Sequence, residues 1–227
     1  LARAGDREMS RAVQQMFDGI APTYDTLNRV LSLGIDQSWR KKAIAALGAI
    51  YGRRVLDVCA GTLDLSALAV TAGAEVIATD FSHAMLSSGR GKVLVPVVRA
   101  DALALPFADA YFDGVVCGFG LRNLDDTRAG PAEMRRVLKP GGRCVVLDFF
   151  RPRRTVTRAV QALYNQRVLP LVGGMVSGDR SAYRYLADSI DRFATRSDVE
   201  RLCREVGFDK ARSEDLTLGI ASMVVAS

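Results

Sequence analysis

Three aspartates, Asp57, Asp80 and Asp101, each follow a short apolar run, and Gly61 comes shortly after the first. A glycine at a strand-to-helix turn lets backbone approach a ligand, and the helix behind it offers free N–H groups. A carboxylate ending the second strand can accept both hydroxyls of a ribose. One following the third strand can accept the exocyclic amine of adenine. Three strand ends in register, at Asp57, Asp80 and Asp101, therefore make an adenosine pocket. The loop Cys59-Ala60-Gly61-Thr62-Leu63 lacks the G-x-G-x-x-G of a dinucleotide site and carries no lysine or arginine, so a pyrophosphate fits it poorly. Its neutral-to-acidic floor suits a cationic sulfonium instead.

The elements that must hold these residues alternate. Residues 53–59, 74–79, 95–99, 112–117 and 143–149 read as buried strands. Helical stretches fall between them, among them one ending near 72, one that includes 85–92 and one at 131–138. This order predicts an α/β fold, a mostly parallel sheet with helices on both faces and ligands at the carboxyl ends of its strands. The closing run 208–225 reads as two further strands joined around Asp215, the last antiparallel, which brings the expected sheet to seven strands. Two segments stand outside the alternation. Residues 11–48 read as helices broken at Pro22 and Gly34, and residues 155–193 as helical with a break around Gly173-Gly174. The expected division is a helical lid and substrate segment over 1–48 and a main domain over 49–227 with the insertion inside it.

Composition narrows the chemistry. The chain of 227 residues supports one well-filled core, and 49% hydrophobic against 25% charged residues is an ordinary globular balance. Cys59, Cys117, Cys144 and Cys203 lack C-x-x-C spacing and are expected as reduced, buried thiols. His83 is the only histidine, so neither a histidine-based metal site nor a Ser/His/Asp triad is expected. The net charge of +6 suits an acidic or lipid surface, but no base-amino N/D-P-P-Y motif and no aromatic-basic platform accompanies it, so no nucleic-acid partner is expected. The first ten residues are charged and lack a signal-peptide core. The expected location is the cytoplasm. Arg151, Arg153, Arg154 and Arg158 lead into an apolar stretch at 159–172, a pattern shared by an interfacial helix and a core helix; peripheral contact with the inner membrane face is the expectation. Assembly is open between monomer and homodimer.

The order Val55-Leu56-Asp57, Gly61-Thr62, Ala78-Thr79-Asp80 and Arg99-Ala100-Asp101-Ala102, with Leu138-Lys139-Pro140-Gly141-Gly142 before the fifth strand, resembles the class I S-adenosylmethionine-dependent methyltransferases. The resemblance implies a Rossmann-like fold and a cofactor site of Asp57, Gly61, Thr62, Asp80, Phe81, Asp101, Ala102 and Gly118. In that group the glycine loop lies against the methionine part, Asp80 holds the ribose, and Asp101 and Ala102 read the adenine. Cys59 and Leu63 stand in glycine-favoured places. Leu63 is the larger departure, expected either to tighten the pocket or to weaken cofactor binding.

Further motifs are more specific. Phe17-Asp18-Gly19-Ile20-Ala21-Pro22-Thr23-Tyr24-Asp25, Gly118-Phe119-Gly120-Leu121-Arg122-Asn123, Tyr183-Arg184-Tyr185-Leu186-Ala187-Asp188-Ser189-Ile190 and Leu216-Thr217-Leu218-Gly219-Ile220 resemble the C-methyltransferases of ubiquinone and menaquinone biosynthesis. Asp36-Gln37 replaces the His-Arg of many members, a variation closer to the menaquinone-type branch. The resemblance implies methyl transfer from S-adenosylmethionine to a ring carbon of a prenylated quinol. Such a carbon becomes nucleophilic when a ring hydroxyl ionises, and a nearby cation favours that phenolate. Arg122 is the expected cation. Arginine side chains hold their proton too tightly to act as bases, so water or a carboxylate takes the proton. Asp64 is expected to activate that water, and Asn123 and Tyr24 to orient it or hold the quinol. Alternative expectations are a small phenolic metabolite as acceptor, or a cofactor-binding protein without activity.

Overall fold

The computed structural model describes residues 4–151 and 180–227. Three helices come first: α1 (Ala4–Ile20), α2 (Tyr24–Ser32) and α3 (Ile35–Ala46). They break where Pro22 and Gly34 predict. Leu33 and Gly34 both take left-handed backbone, φ 51° and 78°, which turns the chain between α2 and α3. Then follow β1 (Arg54–Val58), α4 (Asp64–Thr71), β2 (Glu75–Asp80), α5 (His83–Gly89), β3 (Val97–Arg99), β4 (Phe112–Gly118), α6 (Ala129–Val137) and β5 (Leu138–Asp148). The chain ends with α7 (Arg180–Arg192), α8 (Arg196–Glu205), β6 (Ala211–Leu216) and β7 (Ala221–Ala226).

The seven strands form one sheet in the order β3-β2-β1-β4-β5-β7-β6. All neighbours are parallel except β7, which runs antiparallel to both β5 and β6. Alternation along each strand feeds two cores. On β4, Val115 and Cys117 face the layer holding Met134, Val199 and Phe208, while Val116 faces the layer holding Trp39, Ile44 and Leu65. Period-two burial on both faces is why these strands read as apolar runs. The chain winds outward from β1 to β3 and returns to the other side at β4. The crevice of such a reversal opens between the loops after β1 and β4.

Three boundaries differ from the sequence reading. Asp215 does not turn the chain; it lies inside β6 opposite Ser222, whose hydroxyl donates to it at 2.9 Å, and it pairs with Arg196. The turn falls instead at 217–219, where Thr217, Leu218 and Gly219 all have positive φ. The fifth strand starts at Leu138 rather than Arg143, because Leu138 pairs with Phe112 ahead of a bulge that absorbs the Pro-Gly-Gly. The helix after β2 starts at His83, capped by Ser82, whose Oγ accepts the Met85 amide at 3.1 Å, and ends at Gly89, short of Lys92. The break at Gly173-Gly174 and the apolar stretch 159–172 lie outside the described residues. No helix among the described residues is long and apolar enough to cross a membrane.

Leu63 adopts the glycine-like conformation its position implies, φ 66° and ψ 22°, but its side chain does not enter a ligand pocket. It is fully buried against Ala78 and Leu86, beneath the loop, in a small apolar cluster with Val93, Val95 and Val97. A Cβ on Gly89 would come within 2.7 Å of its Cγ, so Leu63 fills the space that this glycine leaves. Left-handed backbone costs a leucine roughly 1–2 kcal/mol, while a buried leucine replaced by a small residue costs about 2–5 kcal/mol. Leu63→Gly should therefore be net destabilising by chemical denaturation, with S-adenosylhomocysteine affinity close to wild type by calorimetry. A stabilised glycine variant, or much tighter binding, would restore the picture of an intruding side chain.

Candidate active site

The loop after β1 is built from left-handed residues. Cys59, Gly61 and Leu63 have φ of 56°, 54° and 66°. This winding turns the Gly61 amide toward β2, where it donates to Asp80 Oδ2 at 2.9 Å. The other carboxylate oxygen of Asp80 accepts the Ser82 amide at 2.8 Å. Burial pushes the Asp80 carboxyl up, and these amide donors oppose the rise. Two fixed donors hold the carboxylate in one orientation at the strand end before any ligand arrives. Asp101 stands after β3 and accepts the Leu103 amide at 2.9 Å.

Gly61, Asp80, Phe81, Asp101, Ala102 and Gly118 line a cavity of about 160 Å³ at the crevice between the β1 and β4 loops. Tyr24 and Asn123 reach it as well. The loops can close around it because Gly120 has no side chain: a Cβ there would lie 2.3 Å from the Cys59 Cβ. Among the described residues its charged lining is Asp80, Asp101 and Asp125, and none is cationic. That donor set fits a sulfonium nucleoside and opposes a polyphosphate.

Asp57 and Thr62 do not line this cavity. Asp57 is fully buried under the loop; its Oδ2 accepts the Ser66 hydroxyl at 2.6 Å and its Oδ1 has no partner among the described residues. Desolvation raises its pKa to about 7 against the opposing effects of Ser66 and Arg40. Thr62 donates its hydroxyl to Asp25 at 2.6 Å. Asp64 faces cations rather than either cavity. It accepts Lys92 at 2.6 Å and lies 3.3 Å from Arg29 and 3.5 Å from Arg40. Burial alone would raise its carboxyl, but Arg40, Lys92 and Arg29 hold it below the usual range, which makes it a weak base.

A second, larger cavity of about 300 Å³ adjoins the first. Its lining is mainly apolar, with Ile20, Leu27, Trp39, Phe149 and Leu186 among its walls. Phe17, Tyr24 and Phe119 line both cavities and mark the seam between them. Trp39 meets Phe149 edge-on at 6.0 Å, and Phe119 lies 4.9 Å from Phe149, so one face of the space is an aromatic wall.

Arg122 lines this second cavity. Its Nη1 donates to Asp148 Oδ1 at 2.5 Å and to the Phe119 carbonyl at 2.7 Å, and its backbone amide donates to Asp148 Oδ2 at 3.2 Å. Its Cζ sits 5.6 Å from the Phe149 ring centre. Asp148 is fully buried, and Arg122 Nε is buried without a partner among the described residues. The guanidinium is thus paired on one side and has an unmet donor on another. Asn123 donates to the Phe119 carbonyl at 3.1 Å and accepts the Tyr185 hydroxyl at 3.1 Å. Burial raises the Tyr185 pKa, which Arg122 and Arg192 oppose, so its hydroxyl stays a donor. Asp148 and Tyr185 were missed as site residues in the sequence. Asp148 carried the signal used for its fellows, an aspartate closing a buried strand. Tyr185 sat inside a motif already noted.

The model of the ubiE/COQ5 methyltransferase family matches residues 5–227. The chain is 45% identical to the demethylmenaquinone methyltransferase of Deinococcus radiodurans, over 97% of this chain and 95% of that protein. It is 40% identical to the ubiquinone/menaquinone biosynthesis C-methyltransferase UbiE of Geotalea uraniireducens, over 96% of this chain and 97% of that protein. A solved S-adenosylmethionine-dependent methyltransferase of Thermotoga maritima superposes with a TM-score of 0.69 at 17% identity, covering 93% of this chain and 98% of that one. That likeness is one of fold.

The buried Asp57 makes a pH prediction. Its folded pKa of about 7 stands above the ordinary 3.8, so the folded protein holds this proton longer than the unfolded chain does. Its contribution to stability is full below about pH 4 and is lost as pH rises through about 7. Thermal unfolding of Asp57→Asn should gain on wild type as pH climbs across that window, and level off above it. Parallel curves would assign the pH dependence to other groups.

Proposed function

Because the chain belongs to the ubiE/COQ5 methyltransferase family, we propose that it C-methylates the ring of a prenylated quinol, demethylmenaquinol first and the ubiquinone precursor second. The observation that carries this reading is the seam: an acidic cavity fit for the sulfonium nucleoside opens beside an apolar cavity with an arginine in its wall. S-adenosylmethionine supplies an electrophilic methyl group on a sulfonium. Asp80 takes the ribose hydroxyls, Asp101 and Ala102 meet the adenine, and the Gly61 loop and Gly118 let backbone come close. Asp57 from beneath and Thr62 from the side of α2 serve that site by fixing the loop. Phe17, Tyr24 and Phe119 bring the two partners together across the seam, and holding them in line supplies much of the rate.

Arg122 acts through the positive charge of its guanidinium in the wall of the apolar cavity. The Asp148 carboxylate fixes the guanidinium and neutralises it in the resting state. A cation placed where charge develops favours the phenolate and makes the ring carbon nucleophilic. Arg122 keeps its own proton, so the quinol proton leaves to water held by Asn123 and Tyr24. Residues 1–48 serve as the lid over both cavities. The prenyl tail leaves through the mouth beside Leu33 and Thr217, where Leu33 and Leu218 are 87% and 89% exposed. That rim supports peripheral contact of a cytoplasmic protein with the membrane that holds its substrate.

Truncating Arg122 would strand a buried carboxylate, so the informative change is Arg122→Lys. It keeps the charge and loses the fork. Turnover of demethylmenaquinol should fall by roughly 2–4 kcal/mol of barrier, the scale of one lost transition-state donor, with S-adenosylhomocysteine affinity unchanged. Full turnover would remove Arg122 from the chemistry. Methylation of short phenols in preference to prenylated quinol would replace the acceptor.

A further inference from the structure

We propose that Lys92 is a positioning residue, whose ammonium clamps α2 onto the cofactor loop and so sets Tyr24 at the seam between the cavities. The inference rests on the methyl-transfer reading but concerns a residue that lines neither cavity. Lys92 comes from the segment between α5 and β3, far from the lid in sequence. Its Nζ lies 2.5 Å from Asp25 Oδ2, 2.6 Å from Asp64 Oδ1 and 3.0 Å from Thr62 Oγ1. Thr62 in turn donates to Asp25 Oδ1 at 2.6 Å. One ammonium therefore joins the first turn of α2, the cofactor loop and the first turn of α4.

The rest of α2 makes this clamp consequential. The helix has nine residues, no side-chain cap at Thr23 and one buried side chain, Leu27. Helices so short are marginal without tertiary support. Leu27 sits in a small cluster with Leu31, Leu186 and Ala187, outside the two main cores. A further tie is ionic. Asp25, Asp36 and Asp64 interleave with Arg29, Arg40 and Lys92, a cluster balanced in charge. Arg29 and Arg40 both reach Asp36 and Asp64, while Lys92 is the ion-pair partner of Asp25 among the described residues. Loss of Lys92 leaves Asp25 and Asp64 as neighbouring anions across the α2–loop junction, and like charges so placed repel. Asp25 directly follows Tyr24, so movement at this junction moves the seam.

The test compares wild type with Lys92→Met, Lys92→Arg and the pair Lys92→Met/Asp25→Asn, which restores charge balance and keeps an acceptor for Thr62. Amide hydrogen exchange, with and without S-adenosylhomocysteine, reads the clamp without using turnover. In Lys92→Met, exchange over α2 should quicken about tenfold while β1, β4 and β5 keep their protection. Turnover of demethylmenaquinol should fall about tenfold or more at saturating cofactor, and both the arginine and the paired variants should recover most of it. Unchanged α2 protection in Lys92→Met overturns the proposal. So does faster exchange throughout the sheet, or a paired variant no better than the single one. If wild type itself leaves the quinol untouched while α2 loosens in Lys92→Met alone, the clamp stands and the acceptor assignment falls.

Discussion

A parallel sheet that reverses its winding between two neighbouring strands cannot cover the gap between their loops with a helix. Here the gap lies between β1 and β4, and the molecule organises around keeping it narrow and polar on one side. Left-handed residues after β1 carry the backbone across it. Gly120 admits Cys59 from the opposite loop. Asp80 is held by amides of the loop and of the next helix, so the carboxylate that would meet a ribose is also what fixes the loop's shape. Binding geometry and local stability are the same set of hydrogen bonds.

The first three helices then decide what the crevice can do. By itself it would be an open nucleoside site. Phe17 and Tyr24, brought in by α1 and α2, turn it into one half of a two-chambered space, with Phe119 as the shared partition. The Arg122–Asp148 pair lies behind that partition, where an arginine alone would be costly to bury and a fully satisfied one would have nothing to offer.

Strand ends were legible in the sequence because burial on both faces writes an unbroken apolar run that stops where the chain leaves the sheet. That is how Asp80 and Asp101 could be placed. The direction of a side chain is another matter. Asp57, Thr62 and Asp64 stand beside Gly61 in the chain, yet the tight winding of the loop points one under it, one at the lid and one into a cluster of cations. Leu63 shows the same limit: its backbone conformation followed from its place in the loop, while its side chain points into a cluster formed with β2 and α5. Asp215 was misread because aspartate favours turns, whereas Ser222 and Arg196 give it a partnered place inside a strand. Lys92 left no local signal, since its partners come from segments that only the fold brings together.

The aromatic wall has an optical consequence. Trp39 is the chain's one tryptophan, and it stands in that wall beside Phe149 with its indole N–H donating to Thr217 at 2.8 Å. The tryptophan emission of this protein therefore comes from a single indole that lines the apolar chamber, on α3. An electron-accepting ring in that chamber would quench it directly, and water entering there would shift its colour. Occupancy of the chamber can thus be followed in real time without a label.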